Sequence, residues 1–228
     1  MRVLLKISGE ALIGSESSGV DAGALASVAS KIFELQESGA EVAVVLGGGN
    51  LFRGVSGKEQ LKLDRCRADQ VGMLATVMNG LLLQEALSKL DVIVTVMSAI
   101  DCPQLTERFD FEKARERLSE GEILIFVGGT GHPYFTTDTA AALRASEIGA
   151  DYFWKATMHV DGVYDKDPRK ENDAKLFEKL SYEEFLQKKL GILDLTAVTL
   201  CMTNKIPIRV FNFNKGSLLD DSTGSKIG

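Results

Sequence analysis

Apolar and polar positions along the 228-residue chain fall into short apolar runs that alternate with stretches of helical period. Val3-Leu4-Leu5-Lys6-Ile7 predicts a first strand. Asp21 can cap a helix whose apolar face is Leu25, Val28, Ala29, Ile32 and Leu35, with Gly39 just past its end. Glu41 to Leu46 predicts a second strand, and its nearly continuous apolar character suits a strand covered on both faces. A long helix is predicted from about Cys66 to Lys89, with Val71, Leu74, Ala75, Met78 and Leu82 at helical spacing and Met73 and Met78 reading as core filler. Val92 to Met97, Ile123 to Val127 and Tyr152 to Ala156 continue the strands. Phe111 to Ser119 and Thr139 to Ile148 supply the helices between them. The last third is less regular: a loop at Asp165-Lys166-Asp167-Pro168, helices near Tyr182–Lys189 and Leu195–Thr203, and a strand at Ile208–Phe211. Such alternation implies a mainly parallel sheet between helices. Its carboxyl edge, where four strands run into Gly-, Ser- or Thr-rich loops, is where ligands bind in this architecture.

Charge narrows the partners. Twenty-six basic residues against 32 acidic ones leave a net charge of −6. This repels nucleic-acid backbones but admits a phosphate-bearing small molecule if basic groups concentrate in one cleft. Cys66, Cys102 and Cys201 form no CxxC pair, so the expectation is buried free thiols in a reducing compartment rather than disulfides or zinc. The amino terminus enters an apolar strand directly, and no uninterrupted apolar run approaches a membrane span. A cytoplasmic protein with no membrane partner is expected. Two histidines without a Ser/His/Asp or Cys/His arrangement give hydrolase chemistry little support.

Four segments carry candidate chemistry. Lys6-Ile7-Ser8-Gly9-Glu10 places a lysine at a strand end, suited to a phosphate but equally to solvent. Gly47-Gly48-Gly49-Asn50-Leu51-Phe52-Arg53 lets backbone N–H groups approach an anion, with Arg53 as a planar donor; it is neither a Walker A loop nor G-x-G-x-x-G. Gly128-Gly129-Thr130-Gly131-His132-Pro133-Tyr134-Phe135-Thr136-Thr137-Asp138 runs from a strand into a helix. It combines hydroxyls, amides and a helix dipole, although Thr136, Thr137 and Asp138 also suit helix capping and His132 suits either a base contact or a plain loop. Lys155 to Pro168 adds a second strand-end lysine, an aromatic residue and acidic side chains within an ordinary turn. Asp69 stands in the first turn of the long helix, where the dipole favours a carboxylate in any case.

Together these segments resemble the bacterial uridylate kinases of the amino-acid-kinase family. Asp69-Gln70-Val71-Gly72-Met73-Leu74-Ala75-Thr76-Val77-Met78-Asn79-Gly80 and Pro207-Ile208-Arg209-Val210-Phe211-Asn212 extend the likeness from Arg2 to about Leu218. The resemblance implies a single three-layer α/β/α sandwich with a mainly parallel central sheet. The part to about residue 150 would mainly bind UMP and the rest mainly ATP. It also implies ATP and UMP as substrates, Mg²⁺ accompanying ATP, GTP and UTP as effectors, and a homohexamer. Carried onto matching positions, the catalytic group is Lys6, Arg53, Asp138 and Lys155. Lys6, Ile7, Ser8, Gly9, Gly49, Arg53, Thr157, Tyr164 and Asp167 would serve ATP. Gly48, Asp69, Thr130, Gly131, His132, Pro133, Tyr134, Phe135, Thr136 and Thr137 would serve UMP. Two residues, Met158 and His159, separate Thr157 from Val160 where the family often has one, and His132 stands where asparagine is common. A kinase of an amino acid or carbamate, and a silent nucleotide-binding regulator, are the competing readings.

Overall fold

A computed structural model describes residues 1–52 and 61–228. The strands are β1 (Arg2–Ile7), β2 (Glu41–Leu46), β3 (Val94–Ser98), β4 (Glu107–Arg108), β5 (Ile123–Val127), β6 (Tyr152–Thr157), β7 (Val163–Tyr164), β8 (Leu176–Phe177), β9 (Lys179–Leu180), β10 (Ile208–Asn212) and β11 (Ser225–Ile227). The helices described are α1 (Ala22–Glu37), α2 (Arg65–Ser88), α3 (Phe111–Ser119), α4 (Thr137–Ile148), α5 (Tyr182–Lys188) and α6 (Leu195–Asn204). Among the described residues, nine strands form one sheet in the order β4-β3-β5-β2-β1-β6-β10-β11-β9. Every pairing in it is parallel except β10 with β11. The chain builds outward from β1 through β2, then crosses to β6 on the other side of β1, so β1 stands where the winding reverses.

Period-two alternation puts both faces of each central strand into a core. Leu4, Val45, Phe126 and Phe153 face one layer, where they meet Ala141, Ala142, Ala145 and Val198 of α4 and α6. Leu5, Val44, Ile125 and Trp154 face the other, against Ile32 and Leu35 of α1 and Leu83 and Leu87 of α2. Each such aliphatic side chain contributes about 1.5–3 kcal/mol by leaving water. The result is the expected α/β/α sandwich.

The face that α2 presents differs from the sequence reading. Leu74, Met78 and Leu82 are 52, 55 and 38% exposed, while Ala75 of the expected face is buried together with Ala68, Met73, Thr76, Val77, Asn79, Gly80, Leu83 and Leu87. Met73 is therefore core and Met78 is not. This helix is apolar on all sides, enough by length and composition to cross a membrane, so its periodicity does not select a face. Close approach to the sheet selects it: a Cβ on Gly80 would lie 2.4 Å from Val127 Cγ1. Gly80→Val is expected to lower unfolding free energy by about 2 kcal/mol or more despite the better side chain for a helix. Urea titration checks this, and unchanged stability would contradict the packing.

Of the cysteines, only Cys201 is buried, with its thiol pushed up to about 12 by burial; Cys66 and Cys102 are half-buried.

Candidate active site

The register of the parallel strands brings the two strand-end lysines together, since Lys6 on β1 is paired with Lys155 on β6. Two ammonium groups side by side require a counter-charge, and Asp138 in the first turn of α4 supplies it. Lys6 Nζ lies 2.8 Å from Asp138 Oδ1 as an ion pair outside hydrogen-bond geometry, while Lys155 Nζ donates a hydrogen bond to Asp138 Oδ2. All three residues are buried. Burial alone would raise the Asp138 carboxyl, but the two cations outweigh it and hold it down at about 2. Burial also lowers Lys155, and the Asp138 charge offsets this only in part, leaving the ammonium at about 8.

The glycine loop after β2 is packed against its neighbours. Gly47 N–H donates to Ile7 O at 2.9 Å, joining this loop to the end of β1. A Cβ on Gly48 would meet Ala75 Cβ at 2.8 Å and Gly72 O at 2.9 Å, so close approach of α2 demands glycine there. Asn50 and Asn79, both buried, exchange amide hydrogen bonds of 3.1 and 2.7 Å, and Asn79 Nδ2 also donates to Gly47 O at 2.8 Å. Sequence reasoning gave this pair no role. A fully polar residue on the buried side of an apolar helix was the available signal. Of the first-segment residues, Ile7 is core, Ser8 caps the turn Gly9–Leu12, and Gly9 is buried beside the glycine loop. Arg53 lies outside the described residues.

The loop after β5 is held in a tight left-handed path, with Gly128 at φ 77° and Gly131 at φ 81°. Gly128 N–H donates to Thr76 Oγ1 at 2.8 Å, and Thr130 Oγ1 exchanges hydrogen bonds with the backbone of His132. Thr136 caps α4, accepting from Asp138 N–H at 3.1 Å and Thr139 N–H at 3.3 Å, so capping and site formation coincide. Asp69 reaches across from α2 and accepts Tyr134 N–H at 2.7 Å, while Arg65 Nε donates to both its oxygens at 3.0 and 2.8 Å. Arg65 was not singled out from the sequence; its place four residues before Asp69 on a helix is the signal that could have found it.

These contacts create a cleft walled by Gly48, Gly49, Asp69, Thr130, Thr136 and Thr137, with His132 and Phe135 at its lining. Gly131, Pro133 and Tyr134 are not part of that wall; the side chain of Tyr134 is 65% exposed and its contribution is the backbone bond to Asp69. A second cleft gathers Tyr164 and Asp167 with Lys166, Arg169, Lys188 and Lys189, a concentration of positive charge in an acidic chain. Arg169 donates to Asp167 and keeps that carboxyl well below its usual range, at about 2. Thr157 stands apart from it, its hydroxyl donating to Val160 O. In the two-residue stretch that follows, His159 Nε2 lies 3.4 Å from Glu10 Oε2, which ties the loop after β6 to the turn after β1.

A profile described as the amino acid kinase family matches residues 1–212. The chain belongs to the amino acid kinase family. A protein named uridylate kinase from Pseudomonas paraeruginosa is 50% identical over 228 residues, covering 100% of this chain and 92% of that one. One of the same name from Protochlamydia amoebophila is 49% identical over 214 residues, covering 94% and 84%. The solved structure of UMP kinase from Bacillus anthracis superimposes with a TM-score of 0.95 at 35% identity, covering 100% of this chain and 95% of that one. The sandwich is thus the amino acid kinase fold, with the charged trio of Lys6, Asp138 and Lys155 at the carboxyl edge of its sheet.

Proposed function

We propose that the chain transfers the γ-phosphoryl group of ATP to UMP, giving ADP and UDP. The observation that carries this is the buried trio in which one carboxylate holds two lysines side by side, directly beside the loop that walls the first cleft. The names of the similar proteins support UMP as the acceptor.

Phosphoryl transfer demands neutralisation of charge on the moving group and in-line placement of donor and acceptor. Lys6 and Lys155 provide fixed positive charge whose orientation Asp138 sets, and Arg53 is assigned to the same group. Ser8, Gly9 and Gly49 are assigned to the phosphates of ATP, with Tyr164 and Asp167 at its nucleoside end and Thr157 between. Gly48, Asp69 and residues 130–137 receive UMP. Thr136 acts through its backbone, because its hydroxyl is already committed to Asp194. The acceptor phosphate is ionised at neutral pH, so no general base is required.

Mg²⁺ fits this site as a companion of ATP rather than as a protein-caged ion. Among the described residues no group of three His, Cys, Asp or Glu side chains gathers, and both oxygens of Asp138 face lysines. Such an ion would be held chiefly by phosphates and water and would supply positive charge against the polyphosphate. The proposal extends to GTP and UTP as effectors, and to the cytoplasm as the compartment, where the free thiols stay reduced.

A homohexamer is proposed as the assembly. The exposed strip of Leu74, Met78 and Leu82, spaced at i, i+4 and i+8 on α2, supports self-association, since apolar side chains in one row gain by burial. Met78→Glu is expected to shift sedimentation to smaller species; an unaltered sedimentation coefficient would argue against α2 as a contact.

The reaction is tested by ADP release from ATP with UMP, CMP, glutamate or carbamate as acceptor. UMP should give the highest kcat/KM, and preference for glutamate or carbamate would transfer the site to that chemistry. Nucleotide binding by calorimetry without any turnover would instead favour a regulator. Asp69→Asn is expected to raise KM for UMP more than KM for ATP, because it loosens the 130–137 loop and leaves the second cleft intact. Equal effects on the two would contradict the division of the clefts.

A further inference from the structure

The carboxylate of Asp194 ties the amino termini of α4 and α6 together. Its Oδ1 accepts Ala197 N–H at 2.6 Å, capping α6. Its Oδ2 accepts the hydroxyl of Thr139 at 2.8 Å and, in a shorter contact, the hydroxyl of Thr136. Two helix dipoles and three donors therefore converge on one side chain, more than a helix cap needs. Thr136 in turn accepts Asp138 N–H, so Asp194 stands two hydrogen bonds from the backbone of the residue that holds Lys6 and Lys155. Residues Lys188 to Ile192, just before Asp194, wall the second cleft, whereas Thr136 and Thr137 wall the first.

We infer that Asp194 is a positioning residue for phosphoryl transfer: it locks the Thr136 hydroxyl and the first turn of α4, and so fixes Asp138 and the two lysines relative to both clefts. The inference rests on the roles proposed above for Lys6, Asp138 and Lys155. Geometry is its foundation, and charge adds a second effect. Among the described residues, the charged groups that face Lys155 are Asp138 on α4, Lys6 on β1 and Asp194 ahead of α6; burial and Lys6 lower Lys155, whereas the charges of Asp138 and Asp194 raise it. Removing the Asp194 charge lowers Lys155 further. Protonated Lys155 is the active form, so the alkaline fall in kcat/KM, which reports the free enzyme, moves to lower pH.

The experiment compares the full-length wild type with Asp194→Asn, Thr139→Val, Lys155→Ala and the control Asp110→Asn. Asp110 caps α3 through bonds of 3.0 and 3.1 Å and follows β4, the edge strand of the sheet, well away from β1 and β6. In Asp194→Asn, kcat is expected to fall roughly tenfold to a hundredfold, the scale of a misplaced catalytic group. KM for ATP and UMP should change much less, and the alkaline limb should shift downward. Thr139→Val, which removes one donor and keeps both helix caps, should lower kcat in the same direction by less. Asp110→Asn should leave both readouts unchanged. Thermal scans accompany each variant, and if Asp194→Asn does not fold, Thr139→Val decides. An unchanged kcat in folded Asp194→Asn overturns the inference, as does an unchanged kcat in Thr139→Val. A fall in kcat that comes with a comparable rise in both KM values also overturns it, since a loosened fold alone produces that. Wild-type turnover in Lys155→Ala overturns instead the reading on which it rests.

Discussion

Lys155→Ala is expected to lower kcat by roughly a hundredfold or more, and Lys6→Ala likewise, the loss typical of one donor aimed at transition-state charge. Both ammonium groups sit in a buried setting where charge interacts more strongly than in water. Burial also sets the direction of the stability effect. Lys155 carries a desolvation penalty that holds its ammonium at about 8, and in its absence Asp138 keeps Lys6 at 2.8 Å. The variant should therefore fold as well as the wild type while turning over poorly. Steady-state kinetics at saturating ATP and UMP, paired with a thermal scan, separates the two. Near-normal kcat in a folded variant would remove Lys155 from the catalytic group.

Asp138→Ala should have the largest effect on stability. It leaves two buried ammonium groups facing each other without a counter-charge. Breaking a buried ion pair on one side costs about 3 kcal/mol or more. For a chain of this size that corresponds to a fall in Tm of roughly 6–12 °C. Without the Asp138 charge Lys155 sheds its proton at a lower pH than the about 8 of the wild type, which limits the cost, so the loss should shrink as pH rises towards about 8. The acid side follows from the sign of the shift. The Asp138 carboxyl is held at about 2, below its ordinary 3.8, so its contribution is fully present above pH 3.8 and is lost as pH falls through about 2. In Asp138→Ala that portion of acid destabilisation disappears. A Tm equal to wild type at pH 7 would mean the two lysines do not need the carboxylate.

The strands and most helices are legible in the chain because buried parallel strands read as continuous apolar runs, as Glu41–Leu46 and Ile123–Val127 do. Two-residue strands such as β4, β7, β8 and β9 carry no period and are set by their partners alone. The exposed face of α2 was not legible, since an apolar helix offers no polar side to orient it. The lysines and Asp138 could be nominated from strand-end and helix-start positions, but their meeting depends on the β1–β6 register, which local sequence does not encode. Nothing in the local sequence marks Asp194, which stands just before the α6 helix it caps. Only the tertiary approach of α4 to α6 turns it into a link between two clefts.

The most direct measurement is a crystal structure of the chain with UMP and a non-hydrolysable ATP analogue bound together. The γ-phosphate is expected within hydrogen-bond reach of Lys6 and Lys155, with the UMP phosphate against residues 130–137. Nucleotides bound elsewhere, with Lys6 and Lys155 still paired only to Asp138, would contradict the assignment of this sheet edge as the place where the two phosphates meet.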